Sequence, residues 1–598
     1  MENEKLHNLR HSLAHLLAAA VLKIWPETLV TIGPVIENGF YYDFDFKSPI
    51  SDKDLPKIEK KMRELLKTWK EFTVEEKTFD EAKKYFADNV YKTELIDGLK
   101  DKKAKSDEVG SPDASKEAFR EKITFYTSGD FTDLCRGGHS ANPSQEIDVN
   151  AFKLDRIAGA YWRGDEKNKM LTRIYGLAFE TKEELEKYLA LREEAKKRDH
   201  KKLGYELGLF TVSDLIGSGL PLIKPKGMII RKAISDYLWD LHKDKGYSQV
   251  WTPHIAKEKL YEVSGHAAKF GDELFKVEGK EDKFFMKPMN CPHHMQIFAD
   301  DQYSYRDMPI RYFEPATVYR DEKSGQLGGL TRVRAITQDD GHLFCRKDQI
   351  ETEVGMIVSI VREFYTAVGM MNNYWVSLSV RGNDLSKYIG ETKNWEIAEE
   401  ALNNAAKTNN LNYKRVEGEA AFYGPKLDFM FKDSLGREWQ LATIQCDFNL
   451  PERFDLSFVN DKGEKERPVV IHRAISGSLE RFMGMLIEHY AGAFPLWLSP
   501  VQITILPISE NQYEHAEKIY TELKNVGIRV ELDSSNESLG KRIRNAKMQK
   551  IPYLIIIGDK EKDSNTLTVE GRKDVKIENI STEDLIIKLK KEISEKSL

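Results

Sequence analysis

Between about residue 203 and residue 497 the chain carries strand-length runs in which charged and apolar residues alternate, among them IRYFEPATVYR, TRVRAITQDDGHLF, KLDFMFKD and REWQLATIQCDF. Successive side chains on a strand point to opposite faces, so a period of two gives each strand one apolar and one polar side. The expectation is an antiparallel sheet, interspersed with helices, with one face packed and the other open to a ligand.

The remaining segments fall on either side of that sheet. A chain of 598 residues allows about four domains of ~150 residues. Residues 1–180 open with the amphipathic HSLAHLLAAAVLKIW and continue with the strand-and-turn run TIGPVIENGFYYDFDF, an α+β pattern. The stretch from Leu99 to Lys122 is rich in Lys, Asp and Ser without periodicity and reads as a solvated insertion carrying no chemistry. Residues 181–202, TKEELEKYLALREEAKKRDHKK, read as a connecting helix at a domain boundary. Pro495 and Pro500 mark a linker. Beyond it the short runs VQITILPI, IRVELD and PYLIIIGD alternate with helices from Gln512 to Lys524, from Leu539 to Lys550 (basic) and at the C-terminus, as in a small α/β domain. The expected division is therefore 1–180, 181–202, 203–497 and 498–598.

Hydrophobic residues at 40% and charged residues at 31% exclude fibrous and largely disordered classes. The formal net charge of −6 means that any polyanion must be met by local patches. No apolar run approaches the ~20 residues of a membrane span, and the N-terminus lacks the basic-then-apolar order of a secretion signal. Four scattered cysteines, Cys135, Cys291, Cys345 and Cys446, make no disulfide scaffold and suit a reducing compartment. A cytoplasmic location is expected.

Four constellations carry chemistry. His11-Ser-Leu-Ala-His15 places two imidazoles one helical turn apart, but Ser12 stands where a zinc protease needs its glutamate base, which excludes that reading. Asp133-Leu-Cys-Arg-Gly-Gly-His139 adds a thiol and a third imidazole. The two pairs suit either a Cys/His3 metal site or a metal-free hydrolytic pocket in which imidazoles handle protons, while spacing alone equally allows two unrelated pairs. Asn290-Cys-Pro-His-His294 is too far from any other cysteine pair for a zinc ribbon. Cys291 becomes a ligand only if the fold brings His342 and His472 to it; otherwise it is a buried structural thiol. The run from Tyr319 to Arg334 reads as a strand, a Gly-rich loop and a returning strand bearing arginines, suited to bidentate phosphate recognition but not a Walker loop. In HRAISGSLERF a glycine opens a helix with Arg481 in its first turns, a cation that must pair structurally or serve an anionic ligand.

Together these segments resemble the threonyl-tRNA synthetase family of class II aminoacyl-tRNA synthetases, over nearly all residues from His11 onward. IRYFEPATVYRDE with GGLTRVRAITQDDGH resembles the class II motif 2, GSLERF motif 3, and Pro253 of VWTPHI the motif 1 proline of a dimer interface. MNCPHH, QDDGH and IHRA are similar to the segments that supply the zinc ligands Cys291, His342 and His472. HSLAH and DLCRGGH resemble the two halves of the family's editing site, with His11, His15, Cys135 and His139 around the ester, Tyr42 and Asp133 lining the pocket, and Lys92 of YKTELI as an editing lysine.

The resemblance implies a class II antiparallel sheet core, an N-terminal α+β editing domain and a C-terminal α/β anticodon-binding domain. It implies ATP-dependent activation of L-threonine to threonyl-adenylate, transfer to tRNA(Thr) and hydrolysis of mischarged seryl-tRNA(Thr). A homodimer, one Zn²⁺ per chain and Mg²⁺ with ATP are implied as well. Arg320 would hold the α-phosphate and substrate carboxylate, Arg481 the γ-phosphate, and Glu322, Arg332, Gln440 and Thr443 the nucleotide. Gln338, Asp340, Tyr423, Gln445 and Ala474 would line the threonine pocket, and Asn536, Glu561, Lys541 and Arg544 would meet tRNA. Four departures from the family pattern stand out. Only ten residues precede His11, so the N-terminal TGS domain is expected to be absent. Ile336 replaces a phenylalanine that stacks on adenine, leaving a weaker apolar contact for the base. RGGH replaces RGPH and is expected to loosen that turn. Glu570 stands at an anticodon-reading arginine position, with Arg572 the nearest substitute.

Overall fold

The computed structural model describes residues 4–105, 122–573 and 575–598, which form two compact units divided between Glu193 and Glu194. In the first unit, helix α1 (Glu4–Ile24) buries Leu9, Leu13, Leu16, Leu17 and Val21. The other elements that position its site are, in chain order, β1 (Gly39–Asp45), α2 (Val90–Lys105), β2 (Lys122–Ser128), β3 (Phe131–Leu134), β4 (Phe152–Tyr161) and β5 (Met170–Ala178). An antiparallel sheet runs Leu29–Val30, β1, β5, β4, and a smaller one runs Thr73–Thr78, β2, β3. The apolar face of α1 packs with Phe40, Tyr42 and Phe44 of β1 in one core.

One sequence expectation needs correction here. Residues 99–105 are the last turns of α2, not part of a structureless insertion. The run ELIDGLKDKKAK has lost amphipathic periodicity but is rich in Lys, whose intrinsic helix propensity, with that of Leu99 and Ala104, carries the helix on. Residues 106–121 of the expected insertion lie outside the described residues. Helix α3 (Lys182–Arg198) spans the division between the two units.

The second unit centres on an eight-stranded sheet. Its elements are β6 (Tyr247–Gln249), α4 (Cys291–Asp300), β7 (Ile310–Tyr319), β8 (Ala335–Cys345), α5 (Ile350–Ala367), β9 (Tyr374–Val380), β10 (Tyr413–Glu417), β11 (Lys426–Lys432), β12 (Glu438–Asp447), β13 (Val469–Ser478) and α6 (Leu479–His489). The strand order is β6-β7-β8-β13-β12-β11-β9-β10. The six central strands pair antiparallel as expected, whereas the edge pairs β6/β7 and β9/β10 are parallel. The alternation seen in the sequence is realised. Phe313, Leu343, Ile471 and Ile444 turn to one face and share a core with Val354, Ile357, Val358 and Val361 of α5. Their sequence neighbours turn to the other.

Two local expectations shift. The loop after β7 runs to Arg334 and β8 begins only at Ala335, so Arg332 and Arg334 belong to the loop and not to the returning strand. The motif 3 helix opens at Leu479, with the Ser478 hydroxyl accepting from the Arg481 N–H; Gly477 closes β13 at φ +68° rather than starting the helix.

The C-terminal part contributes β14 (Ile503–Pro507), α7 (Tyr513–Asn525), β15 (Val530–Leu532), α8 (Leu539–Met548), β16 (Tyr553–Ile557), β17 (Leu567–Gly571), β18 (Lys576–Ile580) and α9 (Thr582–Ser594). The order β15-β14-β16-β17-β18 is parallel over its first three strands and antiparallel beyond. The Pro495–Pro500 segment is fixed to this sheet, because Arg529 donates to the carbonyls of Leu496, Trp497 and Ser499.

Candidate active sites

Register across the large sheet lines up two rows of side chains. One row is Glu314, Asp340, Ala474 and Thr443; the next is Tyr312, His342, His472 and Gln445. A bulge between Gln338 and Asp340 adjusts β8 at this point. Residues separated by more than a hundred positions in sequence thus become neighbours on the ligand-facing side.

Cys291 stands at the start of α4, and the ligand atoms of Cys291, His342 and His472 all lie within 4.8 Å of one another. His342 Nε2 and His472 Nδ1 face each other at 2.9 Å. Their outer nitrogens are taken: His472 Nε2 lies 2.9 Å from the Asp447 carboxylate and His342 Nδ1 lies 2.7 Å from His294. With the outer hydrogens on His472 Nε2 and His342 Nδ1, the two inner nitrogens turn their lone pairs toward one point, as two ligands of a shared metal ion do. Burial pushes the Cys291 thiol well up and the His342 imidazole well down, so a proton is a poor substitute for that ion. The donor set fits a metal.

Charges for a substrate surround this cluster. The Asp340 carboxylate is buried and its Oδ2 has no hydrogen-bond partner, while burial pushes its pKa up. Arg320 Nε and Arg481 Nε are buried and likewise unpartnered. Such groups are costly unless something charged meets them. The Tyr423 hydroxyl donates to Gln445, and the Tyr423 ring stacks on His472 with centroids 5.0 Å apart. Gln440 and Thr443 both donate to one oxygen of Asp428, each at 2.8 Å. Arg332 pairs with Glu322 at 2.6 Å, tying the loop to itself. Gln338 lies on the same strand opposite Ser478, and Ile336 is half-buried opposite Val318. Two residues were missed by sequence reasoning: His266, whose Nε2 lies 3.5 Å from Cys291 Sγ, and His294. The second was legible in principle, since it follows Cys291 by three positions on a helix and so shares its face.

The first unit holds a separate cluster. His11 and His15 of α1 meet Cys135 and His139, and Cys135 Sγ lies 3.3 Å from both His11 Nε2 and His139 Nε2. His11 Nδ1 is 3.1 Å from the Gly138 carbonyl, which assigns its proton to Nδ1 and leaves Nε2 for the pocket. Gly138 has φ +82°, a value proline cannot adopt, so RGGH gives a different backbone path and not merely a looser turn. Phe72, which the sequence did not single out, stacks on His139 with centroids 4.1 Å apart. Burial holds His139 down to about 2 and Cys135 up to about 11, so both are neutral near pH 7. Tyr42, Lys92 and Asp133 form one buried network beneath them: the tyrosine hydroxyl donates to Asp133 at 2.5 Å and Lys92 forms an ion pair with the same carboxylate. His15 Nδ1 is 3.6 Å from Asp133, while His15 Nε2 and His139 Nδ1 are buried without partners.

The C-terminal candidates are less gathered. Asn536 is exposed beyond β15, and Glu561 accepts from Thr568 and the Gly558 N–H. On the basic helix α8, Lys541 and Arg544 are exposed, but Arg542 turns inward to the carbonyls of Pro507 and Asp533. Arg572 cannot replace the arginine missing at Glu570, because its guanidinium is half-buried and donates to the Phe494 carbonyl at 2.6 Å.

Comparison with known proteins agrees with this layout. Residues 275–490 match the tRNA synthetase class II core domain (G, H, P, S and T), residues 502–592 the anticodon binding domain, and residues 123–175 the threonyl and alanyl tRNA synthetase second additional domain. A threonine–tRNA ligase of Gloeobacter violaceus is 48% identical over 584 residues, covering 96% of this chain and 90% of that protein. One of Thermotoga maritima is 44% identical over 592 residues, covering 98% and 88%. The crystal structure of the RNA binding domain of threonyl-tRNA synthetase from Cryptosporidium parvum superposes with a TM-score of 0.63 at 35% identity, covering 66% of this chain and 98% of that one. Full-length identity at this level, with core, editing-type and anticodon-type domains in the family's order, shows that the chain belongs to the threonine–tRNA ligase family of class II aminoacyl-tRNA synthetases.

Proposed function

We propose that this protein activates L-threonine with ATP, transfers it to tRNA(Thr), and hydrolyses seryl-tRNA(Thr) formed in error. The observation that carries the reading is the meeting of Asp340, whose Oδ2 lies 4.0 Å from His342 Nδ1 without a hydrogen bond, with the cluster of Cys291, His342 and His472, together with the unpartnered Nε groups of Arg320 and Arg481. Adenylation is an in-line attack of the threonine carboxylate on the α-phosphorus, with pyrophosphate leaving. It asks for positioning and charge neutralisation more than for acid or base groups. Arg320 neutralises the α-phosphate and orients the carboxylate; Arg481 holds the γ-phosphate; Glu322, Arg332, Gln440 and Thr443 fix the nucleotide, with Mg²⁺ on the remaining phosphate charge. Asp340 receives the amino group, and Gln338, Tyr423, Gln445 and Ala474 shape the pocket. Cys291, His342 and His472 would hold the zinc, which when bound would supply a Lewis-acid position favouring an amino acid that bears a hydroxyl. A site built around a hydroxyl rejects valine strongly, but serine lacks only a methyl, for which binding discriminates by ~1–3 kcal/mol.

That shortfall gives the first unit its task. His11, His15, Cys135 and His139 orient a water on the ester of seryl-tRNA; its oxygen adds to the carbonyl carbon and the ribose oxygen leaves with a proton. The neutral thiol and imidazoles fit this role better than a thiolate nucleophile, and an aminoacyl ester is activated enough for an oriented water to attack it without a Lewis acid. Lys92 is held by Asp133 and Tyr42, so it acts from a fixed position in the wall of the pocket. Asn536, Glu561, Lys541 and Arg544 face the tRNA from the C-terminal domain.

Assembly as a homodimer through the motif 1 region is supported by the large apolar side chain exposed at Trp251, two positions from Pro253. Among the described residues no helix is long and apolar enough to cross a membrane; a cytoplasmic setting goes with the proposed function. Cys291→Ser tests the metal assignment. It is expected to lose zinc and threonine activation while seryl-tRNA hydrolysis persists, and stoichiometric zinc retained in this variant contradicts it.

A further inference from the structure

The second histidine of MNCPHH has no part in the function proposed above, yet His294 is fully buried and stands directly behind a metal-ligating side chain. Its Nδ1 lies 2.7 Å from His342 Nδ1, and its Nε2 lies 3.0 Å from the Glu314 carboxylate. Glu314 is itself anchored. It accepts from the Thr252 N–H at 2.8 Å and from the Thr252 hydroxyl, and Lys287 Nζ lies 3.6 Å away and donates to the same hydroxyl. Burial alone would push the Glu314 carboxyl up, but the His294 hydrogen bond, Lys287 and the Thr252 N–H outweigh it and hold it below the usual carboxylate range.

We infer that His294 and Glu314 are positioning residues for the metal site, joined as a relay that fixes the orientation and tautomer of His342. The assignment follows from counting donors. Ionised Glu314 can only accept, so His294 carries its proton on Nε2. In the neutral ring Nδ1 can then only accept, so His342, whose Nε2 faces the metal position, carries its proton on Nδ1. That leaves the His342 Nε2 lone pair directed at His472 and the metal position. Asp447 does the same for His472 in a single step, at 2.9 Å. Metal-binding histidines are commonly held in this way by a carboxylate or carbonyl behind the ring. Here the carboxylate is one residue further back and an imidazole stands between. Helix α4 thus supplies a ligand at Cys291 and, one turn on, the group that orients the second ligand.

The inference rests on the metal assignment proposed for Cys291, His342 and His472, which Cys291→Ser tests separately. Its own test is zinc affinity of the full-length protein by chelator competition, together with the visible spectrum of the cobalt-substituted form. His294→Leu removes both hydrogen bonds and is expected to weaken zinc binding about 10–100-fold and to shift the cobalt bands. In His294→Gln the amide can accept from His342 and donate to Glu314, so affinity should recover to within a few-fold of the parent. Glu314→Gln, which keeps side-chain volume, should weaken binding about 10-fold and decides the matter if the leucine variant does not fold. Unchanged zinc affinity in His294→Leu or Glu314→Gln overturns the relay. Equal losses in the leucine and glutamine variants overturn it too, since they would mark His294 as a packing residue only.

Discussion

The two arginines proposed for adenylation show how a residue type can be legible before its role is. In the sequence, Arg320 and Arg481 are cations at the end of a strand and in the first turn of a helix; in the fold each is half-buried, with a buried Nε that has no hydrogen-bond partner. Replacing either by alanine leaves phosphate charge unmet in the transition state, and donor losses of this kind cost about 10²–10³ in rate. Arg320→Ala and Arg481→Ala are each expected to lower threonine-dependent ATP–pyrophosphate exchange by at least that factor while seryl-tRNA hydrolysis continues. Near-normal exchange would make them structural arginines. Arg332 differs: already paired with Glu322 on an exposed loop, it should cost far less when removed.

At the scale of elements, the proposed editing pocket depends on helix α1 meeting the turn after β3. Burial lowers the pKa of His11, lowers that of His15 well below the ordinary histidine value and holds His139 down to about 2, so each of these imidazoles favours its neutral form more than an ordinary histidine does. A base that is neutral throughout loses nothing as pH falls through the ordinary histidine range. Seryl-tRNA hydrolysis should therefore show no inflection near pH 6.5, whereas a drop there would mean that an exposed, ordinary imidazole carries the step. Chelator treatment should leave the same hydrolysis intact; loss restored by zinc alone would favour a metal at His11, His15, Cys135 and His139 instead. In the C-terminal domain, helix α8 presents Lys541 and Arg544 outward while Arg542 is spent on the fold. If the outward face meets phosphates, removing Lys541 and Arg544 together should reduce the slope of log affinity against log salt by about 1.5–2. An unchanged slope would turn that face away from RNA.

Across the whole molecule, the sequence carries the sheet well and the sites unevenly. Alternation in segments such as TRVRAITQDDGHLF is a local property, and it survives into the structure because one face of each strand must be buried. Helix α2 was underestimated because propensity without periodicity gives no pattern to read. The metal triplet depends on the His342↔His472 register, a contact between residues 130 positions apart that no local rule supplies; resemblance to a family located it, and geometry shows why those atoms converge. His266, Phe72 and the His294–Glu314 pair escaped because their significance is entirely a matter of what the fold brings beside them. Arg572 misled in the opposite way, since a cation turned inward, as Arg542 of the basic helix also is, reads in sequence like one turned outward.

The central claim joins amino-acid choice to a metal on the sheet, and ATP–pyrophosphate exchange across the twenty amino acids, with bound zinc measured on the same sample, tests both at once. Threonine should support exchange strongly, serine weakly and valine not at all, with one zinc per chain whose removal abolishes the signal. Exchange that favours another amino acid, or threonine-dependent exchange undiminished in zinc-free protein, would contradict the account.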